Sequence, residues 1–101
     1  MQHFLIKLIP PRPTFAQDMN DEERKLMHEH AAYWEKLQEN GIALVFGPVL
    51  DTAGAWGLGI VEVQDESAAK ELALKDPTIK ANLHTFEIHP MRAIVKGHNS
   101  L

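Results

Sequence analysis

The stretch DEERKLMHEHAAYWEKLQEN, residues 21–40, decides how this chain folds. At about 100° per residue, Leu26, Met27, His30, Tyr33, Trp34 and Leu37 gather within an arc of roughly 120°, the width of stripe a helix buries against a core. Asn20 stands ahead of it as an N-cap, and Glu23, three residues on, completes a capping-box pattern. Asp21, Glu22 and Glu23 complement the helix dipole, and Asn40-Gly41 supplies a stop. One titratable ring, His30, lies inside the apolar stripe, whereas His28 projects to the charged side.

Outward from this helix the chain alternates between short strand and helix signals. HFLIKLI, residues 3–9, reads as a strand ending at Pro10. Phe4, Ile6 and Leu8 share one face; His3, Leu5, Lys7 and Ile9 share the other, so both faces carry apolar groups. Lys7 is the exception, either a solvated edge group or a pocket cation. PPRPTFAQDM, residues 10–19, has three prolines and is expected to be an extended loop. Loops this long often border a site. Arg12 is its candidate anion clamp, and Phe15 a lid or a core plug.

Beyond the helix, IALVF (residues 42–46) predicts a strand that breaks at Gly47-Pro48, and WGLGIVEV (residues 56–63) predicts another. Gly57 and Gly59 share a face of that third strand and leave room for a close approach. Asp65 caps a second helix through ESAAKELALK, which ends at Asp76-Pro77, where Asp76 can cap a further short turn. A last strand lies within residues 83–96, with Pro90 indicating an edge or a bulge. The tail GHNSL, residues 97–101, is expected to be loose.

Strand, helix, strand, strand, helix, strand is the split-βαβ order: an α+β, ferredoxin-like domain over residues 1–101, with a four-stranded antiparallel sheet and both helices on one face. Strands apolar on both faces need a second cover. The simplest is another copy of the same sheet, so a face-to-face homodimer is expected.

Composition narrows the function. A formal net charge of −4 and scattered basic residues lack the positive bias of a nucleic-acid binder. No apolar run approaches the roughly 20 residues of a membrane helix, and the N-terminus lacks the pattern of a signal peptide. A soluble, cytoplasmic protein is the expectation. With no cysteine there is no thiol nucleophile, disulfide or cysteine-based metal site.

The six histidines do not form a metal-ligand pattern. His28 and His30 diverge on a helix, while His84 and His89, if on one strand, face opposite sides. There is no phosphate-cradling glycine loop and no nucleophile-elbow serine, and no cofactor is implied. That leaves His30, an imidazole suited to general acid–base work if a carboxylate orients it. Glu23 and Asp76 are the acids the fold could deliver. Glu23 has a competing role as cap partner, and Asp76 as the cap at Pro77. Phe15, Trp34, Phe46 and Trp56 are candidate pocket walls.

The series His30, Gly41, Gly47-Pro48 and Asp76-Pro77, in that order and spacing, resembles the YciI-like family of the dimeric α/β-barrel superfamily over roughly Phe4 to Lys96. The resemblance implies a ferredoxin-like fold whose dimers pack two sheets into a barrel. It also implies that His30 and Asp76 are the catalytic pair. The activity implied is cofactor-independent acid–base chemistry of a lyase or isomerase, of the dehydrochlorinase or muconolactone-isomerase kind. Its substrate would be a small cyclic or enolisable organic acid or phenol. The rival expectation is a non-catalytic dimeric module that binds a small molecule, with His30 a structural hydrogen-bond partner.

Overall fold

Alternation along the first strand sets the architecture. In β1 (Gln2–Ile9), Phe4, Ile6 and Leu8 are buried while Leu5, Lys7 and Ile9 are only partly so. β3 (Trp56–Val63) repeats the pattern, with Gly59, Val61 and Val63 buried on the same side. β1 pairs antiparallel with β3, Leu5 opposite Ile60, and with β4 (Thr85–Met91), Ile6 opposite Ile88. β2 (Ala43–Val49) completes the antiparallel sheet in the order β2-β3-β1-β4. The fold is thus α+β with ferredoxin-like strand order. The computed structural model describes residues 1–95, and the tail expected at 97–101 lies outside the described residues.

α2 (Asp21–Glu39) and α3 (Glu66–Leu74) cover the face that Phe4, Ile6, Leu8, Val61 and Val63 present. Trp34 and Leu37 come from α2, Ala69 and Ala73 from α3. The helix starts as its sequence suggests: the Glu23 N–H donates to the Asn20 side chain (2.7 Å), and the Asn20 N–H donates to Glu23 Oε1 (2.9 Å). At its end Gly41 takes φ +75°, the left-handed geometry that glycine adopts without a Cβ penalty. Gly59 has a different purpose. A Cβ there would collide with the Trp34 ring, so the absence of a side chain lets α2 settle onto the sheet.

Two expectations need correction. β2 does not break at Gly47-Pro48 but runs on to Val49, with Pro48 opposite Gly57. Pro48 is tolerated because β2 is an edge strand, where a missing N–H need not interrupt a ladder. Nor are residues 10–19 wholly extended: Phe15–Asp18 form a helical turn, α1. The prolines all precede its cap, Thr14, so none removes a donor from the turn. The Gln17 and Asp18 N–H groups donate to the Thr14 carbonyl at 2.9 and 3.1 Å.

Among the described residues no helix lies on the opposite face of the sheet. Leu5, Leu58 and Ile60 lie there half-exposed beside exposed Val45. Lys7 sits on this face too, on a central strand, with its ammonium 4.7 Å from the centre of the Trp56 ring. No helix among the described residues is long and apolar enough to cross a membrane.

Candidate active site

The helical repeat of α2 places His30 and Trp34 one turn apart on the same face. Both reach the same oxygen. His30 Nδ1 lies 2.7 Å from Asp76 Oδ2, and Trp34 Nε1 donates to Oδ2 at 2.8 Å. The other oxygen, Oδ1, accepts from the Thr78 N–H (2.8 Å) and the Thr78 hydroxyl (2.7 Å). Asp76 is the N-cap of α4 (Pro77–Lys80), fully buried and 46 residues from His30 in the chain. Its structural and site duties therefore coincide: one oxygen caps α4 and the other holds His30 and Trp34.

Those donors decide the protonation state. Burial alone would raise the Asp76 pKa, but the bonds from His30, Trp34 and Thr78 outweigh it and hold the carboxyl below its ordinary value. The indole and the peptide N–H can only donate, so Asp76 must accept on both oxygens. His30 accordingly carries a proton on Nδ1 and leaves Nε2 as its basic nitrogen. Nearby Tyr33 donates its hydroxyl to the Leu72 carbonyl (2.7 Å). Burial first, and the Asp76 charge second, push its phenol up to about 12.

His30 opens on a cavity of about 320 Å³. Met27 and Ala31 flank it on α2; Leu8, Phe46 and Gly57 form the sheet wall; Phe15, Ala16 and Met19 close the loop side; Pro48 and Trp56 stand at the rim. His30 and His84 are the titratable side chains of this lining. The space suits a small ring compound.

Of the sequence candidates, His30, Phe15, Phe46 and Trp56 line this cavity. Trp34 lies beneath it and contributes through its hydrogen bond to Asp76. Arg12 is turned elsewhere. Its guanidinium donates to Asp18 Oδ1 (2.7 Å), Glu23 Oε2 (2.9 Å) and Glu23 Oε1 (2.8 Å). It lines a neighbouring groove with Lys7 rather than the cavity of His30. The bond from Arg12, with that from the Asn20 N–H, draws Glu23 down to about 2. Glu23 is thus engaged at the start of α2, and Asp76 is the acid that meets His30.

Sequence reasoning weighed His84 only as a metal ligand and passed over Thr78. In the fold His84 precedes β4, and its ring lies nearly parallel to that of His30, centroids 6.4 Å apart. The available signal was a histidine eight residues after Asp76, at the return of the Asp-Pro turn to the sheet. Among the described residues no three His, Asp or Glu side chains gather as a metal site.

An antiparallel sheet in this order, helices on one face and a histidine–carboxylate pair beneath them define a ferredoxin-like α+β domain with an imidazole-bearing cavity. A family model described as the YCII-related domain matches residues 4–92, and the chain belongs to that family. Among solved structures it is similar to 5-chloro-2-hydroxyhydroquinone dehydrochlorinase (TftG) from Burkholderia phenoliruptrix AC1100, in a complex with 2,5-dihydroxybenzoquinone. The two share 22% identity with a TM-score of 0.69, over 89% of this chain and 93% of that one, a likeness that establishes the shared fold. No curated protein matches the sequence.

Proposed function

We propose that the protein is a small cofactor-independent acid–base enzyme of the lyase or isomerase type, acting on a small cyclic phenol or enolisable organic acid. The observation that carries this reading is the His30–Asp76 pair at 2.7 Å, with Asp76 sealed and His30 open to an apolar cavity. His30 Nε2 takes a proton from an acidic O–H or C–H of the ligand. Asp76 stabilises the imidazolium that forms, and His30 returns the proton to carbon or to a departing group. A base so placed contributes about 10²–10⁴-fold. Phe15, Phe46 and Trp56 wall the ring, while Arg12 acts on the loop that carries Phe15 rather than on the ligand.

Hydroxylated and chlorinated hydroquinones, with the corresponding quinones, are the first compounds to assay, since the structural neighbour is a dehydrochlorinase of that substrate type. The protein is further proposed to work as a homodimer through the uncovered sheet face, where Leu5, Leu58, Ile60 and Val45 await a partner surface. A cytoplasmic location fits a chain without cysteine.

The test is turnover. Compounds that raise the melting temperature are assayed with wild type and with His30→Ala, and turnover is expected to fall at least about 10²-fold in the variant. Equal turnover by the two proteins would assign His30 a structural role and leave a binding module.

A further inference from the structure

His30 shares its cavity with a second imidazole that the mechanism above does not use. His84 is only 7% exposed, packs edge-on to Phe15 (centroids 5.3 Å) and lies parallel to His30 within 13°. Its backbone belongs to the turn that holds Asp76. The Thr78 carbonyl accepts from the His84 N–H at 3.1 Å, while the Thr78 N–H and hydroxyl bind Asp76. The spacing of the two rings is therefore set by one short segment.

His84 Nδ1 is sealed from solvent and has no hydrogen-bond partner among the described residues. A proton placed there would be a buried donor without an acceptor, so the ring proton belongs on Nε2. Burial, and next the charge on His30, push His84 down to about 4, with Asp76 opposing weakly, so the ring is neutral near pH 7. A buried imidazole with an unsatisfied nitrogen is costly to keep in a purely structural position, where a phenyl ring would pack as well.

The chemistry proposed for His30 leaves a need that this ring can meet. When a proton leaves a weakly acidic O–H or C–H, the electron pair stays on the ligand and its negative charge settles on an oxygen. Among the described residues no lysine or arginine belongs to the cavity lining, and Arg12 is held by Asp18 and Glu23. We propose that His84 is a catalytic residue, donating through Nε2–H to the ligand oxygen on which charge develops while His30 takes the proton. No redox change or co-reactant is involved. The ligand class narrows accordingly to an uncharged ring bearing a phenolic or conjugated carbonyl oxygen, since a carboxylate would bring a standing charge with no cation to meet it. This rests on the acid–base reading of His30.

The probe is 4-nitrophenol, whose anion is yellow, titrated into the full-length protein slightly below neutral pH. Wild type is expected to bind it and to develop the absorbance of the anion. His84→Phe is expected to weaken binding of the anion about 10- to 100-fold, and His84→Gln, a neutral donor, to restore most of it. His84→Phe is also expected to keep or raise the melting temperature, because the ring is replaced and the unsatisfied nitrogen removed. Wild-type binding by His84→Phe, while His30→Gln loses the yellow form, would overturn the role of His84 and leave that of His30 standing. A lowered melting temperature with equal loss in the Phe and Gln variants would assign His84 to structure, also overturning the proposal. If His30→Gln matches wild type, or wild type does not bind the phenol, the acid–base reading fails and this inference with it.

Discussion

Asp76 shows how much one side chain can be asked to do. Both its oxygens accept two hydrogen bonds, and each receives at least one from a group that can only donate. Asp76→Asn therefore sets an amide NH₂ against either the Trp34 indole or the Thr78 N–H, whichever way it is turned. It is expected to lose about 2–4 kcal/mol in urea unfolding and about 10²–10⁴-fold in turnover, as His30 loses the anion that orients it. His84 gives the pH dependence. Its folded pKa of about 4 lies below the ordinary 6.5, so the folded state resists protonation. His84 adds no pH-dependent penalty above about pH 6.5, and folding is opposed progressively as pH falls toward 4, by up to about a few kcal/mol. Asp76, held below the ordinary carboxyl value of 3.8, adds a loss only at still lower pH. Melting curves between pH 4 and 7 should show a slope in wild type that His84→Phe flattens; an unchanged slope would contradict this origin.

At the scale of elements, two contacts hold the site together. The first is α2 on β3, where Gly59 admits the Trp34 ring. Gly59→Ala is expected to lose about 1–3 kcal/mol by overpacking. Because Trp34 bonds Asp76, turnover should fall as well, and an unaltered melting temperature would mean that α2 has slack on the sheet. The second is the joint between loop 10–19 and the start of α2, closed by Arg12 on Asp18 and Glu23. Arg12→Gln should speed amide exchange over residues 12–19 and weaken anionic and neutral ligands equally, since Phe15 loses its support. A selective loss of anionic ligands would instead return Arg12 to the role of anion clamp.

For the whole molecule, the sheet face that bears no helix among the described residues is the surface on which the proposed dimer is tested. Ile60 stands near its centre, between Leu5 on β1 and Val45 on β2. If two copies meet there, sedimentation should show a dimer for wild type and a monomer for Ile60→Arg, with the circular dichroism of the fold retained. A wild-type monomer at all concentrations would refute the interface. His3 limits how that face is built: its Nδ1 accepts from the Ala93 N–H (3.0 Å) and its Nε2 meets Glu62 (2.9 Å), which ties the chain after β4 to the sheet.

The order of strands and helices was legible in the sequence because it rests on local periodicity. Alternation in residues 3–9 and 56–63, and the stripe from Leu26 to Leu37, need only the geometry of a strand or a helix. The capping box at Asn20 is similarly local. The break placed at Gly47-Pro48 failed because proline's effect depends on whether its strand is central or at an edge, which is a property of the sheet. The turn at Phe15–Asp18 was hidden by prolines that end just before it. For the site, His30 could be singled out from its place in the stripe, but the residues alone left Glu23 and Asp76 as rival partners. Only the fold brought Asp76 across 46 residues to His30, and gave Glu23 to Arg12 and Asn20. For His84 the sequence offered only a histidine soon after the Asp-Pro turn, and its neighbour was hidden for the same reason. Its meaning lies in one ring standing beside another in the lining of a cavity, and such a distance is decided by packing rather than by neighbours along the chain.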